Sequence, residues 1–350
     1  MLNLLVLGVG GNVSQGILKA LAISQLPCRV IGACVSPLAV GLFNVDKAYI
    51  SPKANDPKFL EWLLRVCRIE GIHAILSGVE QVLQVLSQSA YEIQRETGAI
   101  CLVSKPDCLA IGSDKLLTCQ WLQNQGLNFP KYAASENQTA INKLVEECGY
   151  PLIAKPRIGK SSQGLIEIRN SKDLDHLSSL TGYVIQEYLG DSDSEYTIGC
   201  FSDQEGEVRG AIAMRRGLLQ GTTYCAEVGE FPAVRSEAIR IASALKPMGP
   251  SNIQLRVSNG RPVCFEINIR FSGTTPMRAR LGFNDVETAL RHYVLNKPID
   301  DLKLITQGVI LRYWNEIYIN SQAYDILRQT GKLDLPKKFD SFVENYGMIG

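Results

Sequence analysis

Apolar residues recur along this chain in two rhythms. Over the first hundred residues, continuous apolar runs alternate with segments whose apolar positions return every three or four residues. Residues 2–7, 29–35, 74–76 and 100–103 read as strands. Their largely unbroken apolar character is that of parallel strands covered on both faces. Residues 13–24, 57–69 and 79–94 read as the helices between them. Such alternation predicts an open parallel sheet with helices on both sides.

The rhythm changes after residue 105. A helix starts at Ser113-Asp114-Lys115 and runs to about Asn124, and another ends at Cys148, before Gly149-Tyr150-Pro151. From Leu152 the strands come as hairpins: LIAK, LIEIR, YVIQEY, EYTIGCFS and EVRGAIAMR. A helix over 236–245 follows. NIQLRV and PVCFEINIR then flank Ser258-Asn259-Gly260, and a helix covers 285–295. The last fifty residues hold one strong strand, GVILRYWNEIYI, suited to extending a sheet, covering a site or meeting another subunit.

Composition narrows the function. The net charge is +1, with 20% charged and 45% apolar residues, so no global field draws nucleic acid or anionic lipid. No basic stripe with interleaved aromatics occurs, and no nucleic-acid partner is expected. No apolar run reaches ~18 residues, so neither a spanning helix nor a membrane partner is expected. The ten cysteines form no C-x-x-C pair, and Cys34, Cys101, Cys200 and Cys264 fall in apolar runs. Reduced, buried thiols in a cytoplasmic protein are expected. The three histidines stand apart with no cysteine nearby, against a zinc site or a histidine triad.

Four segments carry candidate chemistry. In LLVLGVGGNVSQGILKAL, Gly8 and Gly10 fit a dinucleotide fingerprint, but Val13 stands at its third glycine. The second strand ends IGACVS, with no acidic residue for a ribose. NAD is therefore disfavoured. Gly10, Gly11 and Asn12 instead lie at the carboxyl end of the first strand and the start of a helix, where a substrate carboxylate or phosphate is favoured. In YPLIAKPRIGKSSQGL a strand ends in Lys155. A loop with Gly159, Lys160, Ser161, Ser162 and Gly164 follows, suited to phosphate oxygens or to a solvated hairpin. In VIQEYLGDSDSEY, Gln186 to Leu189 end an apolar strand and Glu195 opens the next, placing polar groups within reach of an adenine amino group or ribose hydroxyls.

The fourth segment is NIQLRVSNGRPVCFEINIRFSG. Strand alternation puts Glu266, Asn268 and Arg270 on one face, with Cys264 on that face too. Burying these groups is costly unless they pair or bind a cation, and their hard oxygens suit Mg²⁺. The rival reading is an internal Glu266–Arg270 ion pair. A plain two-residue turn would set Gln254 opposite Phe265. A three-residue loop or a bulge would set it opposite Glu266, and one of those two is predicted.

In this order the four segments resemble the ATP-grasp superfamily, in its branch of carboxylate–amine ligases related to the carbamoyl phosphate synthase large subunit. The likeness covers about residues 1–295. It implies an α/β chain with an α+β lid, built on the ATP-grasp fold. A Rossmann-like pre-ATP-grasp domain would span 1–105, a small α/β subdomain and lid 106–186, and a metal- and substrate-binding subdomain 187–300. A C-terminal extension would span 301–350.

The resemblance also assigns residues. Lys115 and Lys155 would meet phosphates, and the lid loop with Lys160, Ser161, Ser162 and Gly164 would cover them. Glu187, Tyr188 and Leu189 would form the adenine hinge, with Glu195 on the ribose and Gln186 also expected on the nucleotide. Glu266 and Asn268 would hold Mg²⁺ (or Mn²⁺), with Gln254 standing where many members have Glu. Arg270 would face a phosphate or acyl phosphate. Arg215 and Arg216 would stabilise the transferring phosphoryl group or form a solvated pair. Read from the residues themselves, Arg278 and Arg280 fit a bidentate clamp on a substrate carboxylate or a charged helix face, and Gly273 and Thr274 are expected beside the substrate.

The implied reaction activates a carboxylate with ATP as an acyl phosphate and joins it to an amine, releasing ADP and phosphate. A phosphotransferase or an inactive nucleotide-binding protein on the same fold is the alternative, and a homodimer is left open.

Overall fold

The computed structural model describes residues 1–159, 163–176, 180–190, 194–300, 304–335 and 342–343. Lys160, Ser161 and Ser162, expected on the phosphates, lie outside the described residues.

The first hundred residues form the expected parallel sheet. Leu2–Leu7 sits at its centre, flanked by Cys28–Cys34 and Ala74–Ser77, with Ile100–Cys101 beyond the latter. Leu4, Leu5 and Val6 are fully buried, as covering on both faces requires. The helices Asn12–Ala22, Phe59–Glu70 and Glu80–Thr97 supply the cover. Two strands beyond Cys28–Cys34 have no apolar run to announce them. Lys47–Ile50 pairs parallel with Cys28–Cys34, and Lys332–Asp334 closes the edge antiparallel to it. The chain's late residues thus complete its first sheet, with Leu327 and Leu333 buried in that core.

A second, four-stranded antiparallel sheet orders Tyr132–Ala134, Tyr183–Glu187, Leu152–Pro156 and Ile166–Ile168. Ile141 and Leu144 of the helix Gln138–Cys148 pack on it with Leu152, Ile168 and Ile185.

The third sheet is antiparallel and six-stranded. Its order is Arg261–Asn268, Gly249–Ser258, Glu195–Ser202, Val208–Leu219, Thr222–Val228 and Gly308–Leu311. The helix Pro232–Leu245 covers one face through Val234, Ala238 and Ile241. The other face joins Phe201, Ile212 and Met214 to a core with Phe271, Phe283 and Val286, and its remaining part carries Glu195, Arg216, Gln254 and Glu266. The strand expected over 308–319 extends this sheet only as Gly308–Leu311. Ile317–Tyr318 leaves it to pair with Phe342–Val343.

The register of the last hairpin follows the predicted bulge. The turn is two residues, Asn259 and Gly260, both at positive φ (51° and 74°), with Ser258 opposite Arg261. Leu255 faces Cys264, yet Gln254 faces Glu266, so Phe265 is the inserted residue. The insertion corrects one expectation. Cys264 does not share the Glu266 face: it lies in the core with Ile267 and Ile269, while Val263 and Phe265 turn toward Leu189. Among the described residues, no helix is long and apolar enough to cross a membrane.

Candidate functional site

Two cavities meet on the exposed face of the third sheet. The larger, about 510 Å³, lies between the second and third sheets. The smaller, about 280 Å³, lies between the third sheet and the carboxyl ends of the first sheet's strands. Arg216, Gln254, Glu266, Gly159 and Gly221 border both.

The larger cavity is a slot with apolar walls and a cationic end. Ile153, Leu165, Leu189 and Phe265 line it. Glu187 and Tyr188 form its rim, and the Glu187 carboxylate is committed to the backbone N–H of Lys131 at 2.8 Å. Lys155 stands next to last in the strand Leu152–Pro156 and projects its ammonium 5.0 Å from the Phe265 ring centroid. It donates to Gln186 Oε1 at 2.9 Å. Burial draws the Lys155 pKa down to about 8, against the opposing pull of Glu266. Gln186 is itself buried and does not line the cavity. Its Nε2 donates to Cys119 Sγ at 3.0 Å, so it orients Lys155 from behind. Lys115 lines the cavity and donates to the Gly159 carbonyl at 3.1 Å, tying the chain after the strand Leu152–Pro156 to a helix start. Asp114 caps that helix and pairs with Arg157 at 2.6 Å. Gly164, at φ 72°, lets the loop turn between Gln163 and Leu165, which reach the cavity.

Glu195 is nearly fully buried and holds two arginines. Arg216 approaches Oε1 at 2.6 Å and Arg256 approaches Oε2 at 2.8 Å. Burial pushes the Glu195 pKa up, but Arg216 and Arg256 outweigh it and hold the carboxyl below the usual range. Both oxygens expected on a ribose are thus engaged by guanidinium groups. Arg215 and Arg216 part company, because neighbours on a strand face opposite ways. Arg216 enters both cavities, whereas Arg215 lines neither and pairs with Glu227 across the strands, half-exposed.

At the shared wall, Asn268 Nδ2 donates to Glu266 Oε1 at 2.8 Å, and Arg216 donates to Gln254 Oε1 at 2.8 Å. Glu266 joins no ion pair among the described residues. Arg270 turns instead to Glu80 of the first sheet's last long helix, at 3.0 Å, so the internal Glu266–Arg270 pair does not form. Among the described residues no group of three His, Cys, Asp or Glu side chains comes together to hold a metal. One carboxylate with two amides is the donor set at this wall.

The smaller cavity takes Gly11, Asn12, Gly273 and Thr274, as expected, together with Glu80, Asn268 and Arg270. Gly273 abuts Asn12: a Cβ there would lie 2.6 Å from Asn12 Nδ2 and would push that side chain aside. Two expected substrate residues do not reach it. Gly10 packs against Ala39 and Cys34. Arg278 is fully buried, paired with Asp285 and bonded to Asn252, Ser272 and Thr274. It braces the 272–274 loop from inside and lines neither cavity. Arg280 is exposed on the helix surface and lines neither cavity.

Sequence reasoning missed Phe265, Arg256 and Glu80. Arg256 had a signal, standing two residues from Gln254 and hence on its face. Glu80 follows directly on a parallel strand's carboxyl end, where open sheets place ligands. Phe265 had none short of the bulge.

The geometry can be set beside known proteins. Residues 179–316 match the family described as ATP-grasp in the biosynthetic pathway with Ter operon, and residues 4–101 match the PylC-like N-terminal domain. The carbamoyl phosphate synthase large chain of Sulfolobus acidocaldarius is 25% identical over 236 residues, covering 61% of this chain and 22% of its own length. That of Pseudothermotoga lettingae is 21% identical over 287 residues, 77% of this chain and 24% of its own length. The chain spans about a quarter of these relatives. Among solved structures, N5-carboxyaminoimidazole synthetase from Staphylococcus aureus complexed with ADP superposes with a TM-score of 0.73 at 16% identity, covering 89% of this chain and 82% of that one. L-amino acid ligase from Bacillus licheniformis gives 0.64 at 18% identity, covering 84% and 74%.

Proposed function

We propose that this chain, which carries an ATP-grasp domain behind a PylC-like N-terminal domain, is an ATP-dependent ligase. It activates a small-molecule carboxylate and joins it to an amine, releasing ADP and phosphate. The observation that carries this reading is the wall shared by two cavities, where Arg216, Gln254 and Glu266 face both. A phosphoryl donor on one side and an acceptor on the other would meet there.

The residues fit ATP and a divalent cation. Apolar Ile153, Leu189 and Phe265 suit a base, beside the hinge backbone at Glu187 to Leu189. Lys115, Lys155 and Arg216 supply positive charge where phosphates would lie. Glu266, Asn268 and Gln254 offer the oxygen donors that Mg²⁺ or Mn²⁺ prefers. Bound ATP would supply the γ-phosphoryl group that converts a carboxylate into an acyl phosphate. The chain's own work is positioning and charge neutralisation. Gln186 and Phe265 fix the Lys155 ammonium, Glu195 fixes Arg216, and Glu80 fixes Arg270 at the acceptor side. Arg215 and Arg278 are left with structural roles. The same reading divides the chain at 1–105, 106–186, 187–300 and 301–350, and has it act on small molecules in the cytoplasm.

ADP release, measured against a panel of small acids and amines with Mg²⁺ or Mn²⁺, tests the reading. Full turnover should require an acid, an amine and the metal, and stop on chelation. Glu266→Ala and Lys155→Ala should each lower it by about 100-fold or more. Undiminished ATP turnover in both variants would overturn the site assignment.

A further inference from the structure

The smaller cavity has a composition that selects its occupant. Its volume is about 280 Å³, and among the described residues its only apolar lining side chains are Val13 and Val79. Such a space offers no slot for a long hydrocarbon or an aromatic ring. It offers two opposite charges side by side. Arg270 Nη2 lies 3.0 Å from Glu80 Oε1, and both side chains line the cavity. The pair joins two regions of the chain, Glu80 opening the helix Glu80–Thr97 and Arg270 following the strand Arg261–Asn268.

Neither group is saturated by the other. Glu80 Oε2 accepts no hydrogen bond among the described residues, and Arg270 Nη1 reaches only the Phe271 carbonyl. A simple monocarboxylate would satisfy Arg270 but bring a like charge against Glu80. A simple amine would meet the reverse conflict. A molecule with both charges one carbon apart meets neither.

We propose that the acid activated here is a small α-amino acid, its carboxylate toward Arg270 and its ammonium on Glu80. This rests on the ligase reading above and names its substrate class. Holding the amino group beside a carboxylate also keeps it protonated. A protonated amine has no lone pair for attack, so the amine that displaces the phosphate belongs to a second molecule and is not the one held on Glu80.

The test pairs each of several small α-amino acids with its 2-hydroxy and deaminated analogues. ADP formation is read alongside binding by calorimetric titration without ATP. The expected result is ADP formation and heat of binding with an amino acid, both at least about tenfold weaker with its analogues. Glu80→Gln should raise KM for the amino acid about tenfold and leave KM for ATP unchanged, while Glu80→Asp restores part of the loss. Analogues used as well as amino acids, or an unchanged KM in Glu80→Gln, would overturn the substrate class and leave the ligase reading standing. No ADP formation with any acid would overturn both.

Discussion

Single side chains here divide between those that face the cavities and those that hold them in place. Lys155 belongs to the first set, and its pKa of about 8 makes it titrate in an accessible range. Its ammonium is present below pH 8 and is lost above. The kcat/KM for ATP should therefore fall toward tenfold per unit as pH rises past 8, and Lys155→Arg should remove that alkaline limb. Folding stability should move the other way. The unfolded lysine keeps its proton up to about 10.5, so between 8 and 10.5 the unfolded state binds more protons and this group's contribution grows with pH. Arg278 belongs to the second set. Asp285→Ala would leave it as a lone buried charge and should cost about 3–5 kcal/mol, read by denaturant unfolding.

At the scale of elements, the bulge at Phe265 decides what the site contains. It returns Glu266 to the Gln254 side and adds an aromatic wall beside Lys155 and Arg256, whose guanidinium carbon lies 5.8 Å from the ring centroid. Phe265→Ala should weaken ATP binding by about five- to tenfold, with the hairpin intact by circular dichroism. The sequence carried part of this. Side-chain alternation required either an odd loop or a bulge if Gln254 was to join Glu266, and a bulge is present. Alternation across the bulge could not be read, which is why Cys264 was expected on the wrong face. Arg215 and Arg216 show the same limit in reverse. Adjacent strand positions must diverge, but only the sheet order shows which of the two turns inward. Glu195 was legible as a buried strand-end carboxylate. Its two arginines come from strands 21 and 61 residues further on, and pairings of that range leave no local trace.

At the scale of the whole molecule, the parallel core and the hairpin-rich remainder were legible because each has its own periodicity. The two strands beyond Cys28–Cys34 were not. Lys47–Ile50 is short and half polar, and Lys332–Asp334 joins it from nearly the other end of the chain. That closure is testable. Leu327 is fully buried in the first sheet's core, and Leu327→Ala should destabilise the protein by about 2–4 kcal/mol, although it lies far from both cavities in sequence. The wall between the cavities reaches furthest. Arg216 borders both spaces while held by Glu195 and Gln254, so a ligand on either side sets the electrostatic surroundings of the other. Thermodynamic linkage then makes the two occupants' affinities interdependent. With the occupants proposed above, whatever factor ATP imposes on the acid's dissociation constant, the acid must impose on that of ATP.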